Sequence, residues 1–212
     1  MMEILLLVFI VIVQNVAVFL DNYAIFYLTS RHNSTKIATD YTKKFQIDFF
    51  SQGFLFFTPL LLGLMLTQDN LYFLLMCLLI SSIVTLSLTL LQSFNFLSKM
   101  SIKFYFPLTK KNIFLLLLGL VIYAIYLYVP FYLNILSYFF KEHSLWIVQL
   151  SPALTAISSV FVVYYMDPKV AKFMDATKNK KNPAVLFELI AIRLLGRIMI
   201  LLASIFIYFK LV

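Results

Sequence analysis

Charged residues are scarce in this sequence. They make up 12% of its 212 residues, whereas 63% are hydrophobic, including 23 Phe and 13 Tyr. Soluble domains are typically about 45–50% apolar and about 25% charged. A water-soluble fold of this size cannot bury so much apolar surface, so we expect the solvent of this chain to be a lipid bilayer.

Cysteine is almost absent, since Cys77 stands alone in an apolar segment. A single cysteine excludes an intrachain disulfide, and no Cys-x-x-Cys or Cys/His spacing indicates a metal site. The two histidines, His32 and His143, fall in predicted loops on opposite sides of the membrane. HExxH and GxSxG motifs are missing as well. We therefore expect neither a metal nor a cofactor.

Six apolar segments are each long enough to cross a bilayer, and they lack strand-like alternation. Backbone amides in lipid must be satisfied within their own segment, so we expect helices. The connections are too short for a soluble domain. The prediction is an all-α fold, a single transmembrane domain over residues 1–212, with about six helices at 4–28, 45–67, 71–97, 113–139, 145–166 and 184–209.

The basic residues between these segments predict an orientation. Only Lys141 and Lys210 lie on one side, and the other side carries Arg31, Lys36, Lys43, Lys44, Lys99, Lys103, Lys110, Lys111, Lys169, Lys172, Lys178, Lys180 and Lys181. The positive-inside rule places the basic loops in the cytoplasm and both termini outside. The first segment begins with Glu3 and is too long for a cleavable signal peptide.

The net charge of +8 is divided among three loops beside membrane ends. This distribution is typical of attraction to anionic phospholipids and is not a nucleic-acid footprint. We therefore expect anionic phospholipids as partners at these loops and no nucleic acid.

Two arginines, Arg193 and Arg197, interrupt the apolar stretch "FELIAIRLLGRIMIL" of the last helix. An ionised side chain at mid-membrane costs about 2.5–3.5 kcal/mol on insertion scales. Being four residues apart, the two lie on one helix face, near mid-depth, where they must meet protein or water. Glu188 points well away from both at 100° per residue. Their partner is therefore on another helix or is a ligand.

Helices 1 and 2 supply the candidate partners. Asp21 and Asp48 are carboxylates in apolar segments, accompanied by the amides of Gln14, Asn15 and Gln52. Together with the arginines and Glu188, this set extends from mid-membrane to the cytoplasmic half and predicts a cavity open to the inner leaflet. Paired arginines hold phosphate oxygens well, so we expect Arg193 and Arg197 to bind a phosphate or pyrophosphate group. Ion pairs that only lock helices together are the structural alternative.

Two further patterns favour helix packing, and a third predicts kinks. Small hydroxyl residues repeat along helix 5 as Ser151, Thr155 and Ser159, and along helix 3 as Ser81, Ser82, Thr85 and Thr89. Pro59, Pro130 and Pro152 lie inside or near the starts of helices, where proline kinks are expected.

The C-terminal region resembles a known family. The segment "YYMDPKVAKFMDATKNKK", residues 164–181, is followed by "LIAIRLLGRIM", residues 189–199, and preceded by "SPALTAISSVFVVYY". A DPK turn, a mixed-charge loop and a helix with RLLG are similar to the C-terminal part of the Amj family of alternate lipid II flippases. The stretch "LDNYAIFYLTSRHNSTKIA", residues 20–38, resembles its N-terminal pattern.

This resemblance implies a multi-pass protein of the bacterial plasma membrane that moves lipid II, a polyprenyl-pyrophosphate-linked precursor, to the outer leaflet. Arg193 and Arg197 would hold the pyrophosphate. Asp21 and Asp48 would compete for the arginines or carry a coupling proton. Two alternatives remain open, a structural or regulatory membrane subunit and an intramembrane enzyme acting on a prenyl phosphate. A homo-oligomer is compatible with all three interpretations.

Overall fold

A computed structural model describes residues 2–30, 37–66, 70–99, 113, 117, 120–121, 128–161, 164, 167–168, 171 and 183–212. Every secondary-structure element in these ranges is helical, which confirms the all-α prediction. The elements are α1 (Met2–Ser30), α2 (Ile37–Leu66), α3 (Leu71–Lys99), α4 (Val129–Phe139), α5 (Ser144–Phe161) and α6 (Pro183–Leu211), with a 3₁₀ turn at Lys141–His143 between α4 and α5.

Four of these helices are long and apolar enough to cross a membrane, in the segments Glu3–Tyr27, Thr39–Leu64, Leu71–Phe96 and Leu189–Leu211. Large apolar side chains remain exposed along them, such as Leu5, Phe49, Phe56, Phe206 and Phe209. A surface of this kind is stable in hydrocarbon and costly in water. The helices therefore make the chain compatible with a multi-pass membrane protein.

Hydrogen bonds fix the direction of α2 against α1. The Tyr27 hydroxyl donates to Asp40 at 3.2 Å, and the Ser51 hydroxyl donates to the Ala17 carbonyl at 2.8 Å. Residues late in α1 thus meet residues early in α2, as expected for antiparallel helices joined by a short connection. Pro59 lies inside α2.

Helix α3 runs parallel to α1, and α6 runs antiparallel to α3. The rings of Phe26 and Phe96 stack with centroids 4.8 Å apart, near the ends of α1 and α3. Tyr72 near the start of α3 lies 6.4 Å, centroid to centroid, from Tyr208 near the end of α6. The end of α1, the start of α2, the end of α3 and the start of α6 consequently share one end of the bundle. We call it the basic end, because the lysine-rich connections join there.

The apolar core lies between α1, α2, α3, α4 and α6. It is formed by buried side chains from all five helices, among them Ile10, Val18, Leu62, Leu75, Leu78, Phe131 and Ile200. Cys77 is fully buried in the same cluster. Helix α5 stands apart from this core and packs on α4.

The predicted boundary of the second helix was wrong. The sequence pattern places its start at residue 45 and assigns Lys43 and Lys44 to a loop, whereas α2 begins at Ile37 and contains both lysines. The helix continues because Lys44 is held by two carboxylates rather than solvated. Helices 1, 3 and 6 extend at most two residues beyond the predicted ends. Much of the predicted helix 113–139 lies outside the described residues, and its described part is α4.

Candidate functional site

Arg193 and Arg197 are enclosed in the bundle. Their exposed fractions are 1% and 0%, and they are the two largest side chains buried this completely among the described residues. The surrounding Leu, Ile and Ala residues of α6 are good or acceptable helix formers, so the segment stays helical through both arginines. Two guanidinium groups without water need charges and dipoles from the protein nearby.

Among the described side chains, Asp21 of α1 is the carboxylate paired with Arg193. The Nε atom of Arg193 lies 4.0 Å from a carboxylate oxygen of Asp21, at the outer limit of an ion pair. An Nη atom of Arg193 also donates to the Leu189 carbonyl of its own helix at 3.3 Å. A contact this long is easily exchanged for a closer anion, because charge-assisted hydrogen bonds are strongest near 2.7–2.9 Å.

Arg197 lies deeper, beside a buried hydroxyl network, where its charge acts on the Tyr128 hydroxyl. That hydroxyl is 2.7 Å from Thr85 and 3.5 Å from Ser81. Thr85 gives its proton to the Asn15 side-chain carbonyl at 2.9 Å. A hydroxyl has one proton, so Tyr128 must donate to Thr85, which leaves its own oxygen lone pairs available to the arginine.

Tyr128 was missed by the sequence analysis. It is uncharged and lies in an apolar segment, and its only visible signal is its position two residues before Pro130. The hydroxyl stripe of α3 was interpreted as small-residue packing. Its members Ser81 and Thr85 instead carry hydrogen bonds between helices.

A second charged group lies near the basic end. The Lys44 ammonium is 2.8 Å from Asp48, one turn later in α2, and 2.9 Å from Asp167, which follows α5. The charge of Asp21 acts on Asp48, so the two charged groups are coupled electrostatically. Lys44 and Asp167 are site residues that the sequence analysis left in loops. The available signal was their opposite charge, since Asp167 lies in the "DPK" stretch and Lys44 in the "TKKF" stretch.

These groups form layers at defined depths. At 1.5 Å per residue, Lys44 lies about 10 Å from the basic end of its helix. Asp21, Asp48 and Arg193 lie about 14–17 Å from theirs. Asn15, Thr85 and Arg197 follow at about 21–23 Å. Counted along its own helix, each cation thus lies further from the basic end than the one before it, in the order Lys44, Arg193, Arg197.

The amides of α1 link helices. The Thr58 hydroxyl of α2 donates to Gln14 at 3.0 Å, and both side chains are fully buried. Asn22 donates to Thr89 at 3.1 Å and to Gln92 at 3.0 Å on α3. Gln14 and Asn15 were predicted as cavity residues. The structure places them in interhelical hydrogen bonds, and contact with a ligand stays a prediction for both.

Gln52 lies elsewhere, at a cavity of about 480 Å³ between α2, α4 and α5. Its lining is mostly apolar and includes one proline from each helix, Pro59, Pro130 and Pro152. Neither arginine is among the lining residues. The predicted polar set is thus divided between an enclosed charged core and this separate cavity. Glu188 belongs to α6, and its side chain lies outside the described residues.

The described residues contain no group of three His, Cys, Asp or Glu side chains able to hold a metal ion. No family model, curated protein or solved structure matches the chain. The charged core itself defines the available chemistry. Cations with exchangeable carboxylate partners can bind an anion, and buried carboxylates can carry a proton.

Proposed function

We propose that this chain is a membrane transporter that flips a polyprenyl-pyrophosphate-linked cell-wall precursor, lipid II, from the cytoplasmic to the outer leaflet of a bacterial plasma membrane. The observation that carries the proposal is the burial of Arg193 and Arg197 on one face of α6, at exposed fractions of 1% and 0%. Such intramembrane charges mark substrate paths in membrane proteins. The resemblance of residues 151–199 to the Amj family supports the choice of substrate.

In this mechanism the pyrophosphate of the substrate binds to Arg193 and Arg197. Asp21 holds Arg193 at 4.0 Å while the site is empty. An incoming pyrophosphate forms shorter, bidentate contacts with the guanidinium groups and displaces Asp21. Asp21 and Asp48 then carry one negative charge too many for their surroundings, and uptake of a proton by this pair balances it.

In this cycle, the arrangement in which Arg193 and Arg197 are buried is the closed state. Both arginines are enclosed, so α6 must move relative to α1 before a headgroup enters. Helix α6 packs on α3, and Arg193 reaches across to Asp21 on α1. Loss of that 4.0 Å contact is one change that this motion requires. Alternating exposure of the two ends follows from such a motion.

A rescue experiment tests the proposal. A bacterium depleted of its essential lipid II flippase is supplied with this chain, and growth and outer-leaflet lipid II are measured. The native chain and a Lys43→Gln control, altered at an exposed lysine of α2, should restore both. An Arg193→Ala/Arg197→Ala variant of equal membrane abundance should restore neither. Failure of the well-expressed native chain would remove lipid II as the substrate.

A structural or regulatory subunit is the second candidate. The hydrogen bonds of Gln14, Asn15 and Asn22 join helices within this chain, which is the structural role that this candidate assigns to buried polar residues. In that case substitution of the arginines should abolish assembly with a partner chain. Co-purification of native and variant chains from membranes separates the two, because a transporter variant assembles normally and loses only flux.

A further inference from the structure

Lys44 is the cation nearest the basic end in the described part of the charged core. Its exposed fraction is 8%, although it belongs to the membrane-spanning segment Thr39–Leu64. A buried ammonium is stable only when it is paired and hydrogen-bonded. Asp48 and Asp167 provide this pairing at 2.8 and 2.9 Å.

The two carboxylates differ in how they can leave. Asp48 is one turn away on the same helix, so it moves with Lys44 in any rigid motion of α2. Asp167 comes from the segment after α5, and α5 packs on α4 rather than on the apolar core. Asp167 is also the more exposed partner, at 33% against 28% for Asp48. Asp167 is therefore the exchangeable anion.

Lys44 is also correctly placed along the route to the arginines. It lies about 10 Å from the basic end, Arg193 about 15 Å and Arg197 about 21 Å. Two of these cations have a carboxylate partner that a ligand can replace, namely Asp167 for Lys44 and Asp21 for Arg193. This order places Lys44 first for an anion that enters from the basic end.

We propose that Lys44 is the entry residue of this route, binding the phosphate group of an anionic lipid in exchange for Asp167. Asp167 stays on the protein after it leaves the ammonium, so the lipid replaces it as the partner of Lys44 and brings its own negative charge to the site. This inference rests on the proposed function for its substrate class, a polyprenyl pyrophosphate. It adds Lys44 and Asp167 to the residues that determine which anion is admitted.

Asp167 competes with the ligand in this scheme, which leads to an unusual expectation. Removal of the competing charge by Asp167→Asn should tighten binding even though it breaks an ion pair. Lys44→Met should weaken binding about tenfold, and Lys44→Arg should keep most of it. In the double variant Lys44→Met/Asp167→Asn the gain from Asp167→Asn should vanish, because no ammonium remains to be released.

The test measures binding of farnesyl pyrophosphate to the purified full chain in detergent, with farnesol as the uncharged control and Lys43→Gln as the matched control variant. Melting temperature is recorded for every variant. An affinity gain of about threefold or more in Asp167→Asn that depends on Lys44 supports the proposal. Unchanged or weaker binding by a folded Asp167→Asn chain overturns it and leaves a structural ion pair.

The Arg193→Ala/Arg197→Ala variant separates this inference from the proposed function. If binding needs the arginines but ignores Lys44 and Asp167, the entry role fails and the transport proposal stands. If Asp167→Asn tightens binding through Lys44 but lipid II is not flipped in the rescue experiment, the transport proposal fails and the entry role stands. Should Asp167→Asn not fold, Asp167→Ser provides the same loss of charge.

Discussion

The hydroxyl groups of Thr85 and Tyr128 lie 2.7 Å apart in the buried centre of the bundle, joining α3 to the residue that precedes α4. Asn15 of α1 accepts the Thr85 proton, so a single chain of hydrogen bonds connects three parts of the protein. Arg197 of α6 acts on the same tyrosine electrostatically. The charge of this arginine thus acts on the point where these elements meet.

Tyr128→Phe should lower the free energy of unfolding by about 1 kcal/mol, because the hydrogen bond from Tyr128 to Thr85 is lost while Thr85 still donates to Asn15. The ring contact with Phe131, with centroids 5.4 Å apart, is retained. Binding of farnesyl pyrophosphate should also change, since the charge of Arg197 acts on the Tyr128 hydroxyl. Thermal melting and binding are compared with Tyr132→Phe, which alters a half-buried neighbour. Equal effects of the two variants would argue against a special position for Tyr128.

Asp21→Asn should destabilise the protein by about 2 kcal/mol. This is less than the about 3–5 kcal/mol of a broken buried pair, because the contact is long at 4.0 Å and the Asp21 side chain is 18% exposed. The loss arises from the Arg193 charge left in the bundle. Arg193→Gln added to Asp21→Asn should therefore recover part of the melting temperature. Additive losses in the double variant would show that the two residues do not interact.

Asn22→Ala should cost about 1 kcal/mol, since it removes hydrogen bonds to Thr89 and Gln92 that average about 0.6 kcal/mol each between membrane helices. Ser87→Ala is the matched control. Its hydroxyl is exposed and donates to Ile83 within its own helix. Ser87→Ala should leave the melting temperature nearly unchanged. If the control is equally destabilising, the link between α1 and α3 contributes little.

Membrane orientation can be measured with cysteine labelling. Cys77→Ala removes the sole native thiol, and single cysteines are introduced at Lys141 and Lys103. The positive-inside rule predicts that an impermeant maleimide added to intact cells labels position 141 and not position 103. Disruption of the membrane should expose position 103. The reverse labelling pattern would invert the predicted topology and place the basic end outside.

Some features of the fold could be predicted from the sequence and others could not. Helices 1, 3 and 6 are visible in it because long apolar runs in lipid must be helical. The start of α2 was misplaced by eight residues, because the charge of Lys44 looks solvated until Asp48 and Asp167 are brought beside it. The hydroxyl stripe of α3 was likewise read as packing, because residue size is visible in a sequence and a distant hydrogen-bond partner is not.

The sequence alone determined that this chain is helical, that its outer surface is apolar and that two arginines in its last helix need partners. These features follow from hydropathy and helical spacing, which are local properties of a sequence. The tertiary structure decided which partners they have. It brought Asp21 to Arg193, placed Tyr128 where the charge of Arg197 acts on it, and left both arginines out of the lining of the Gln52 cavity. Those pairings join residues far apart in the chain, and only the packing angles and rotation of the helices specify them.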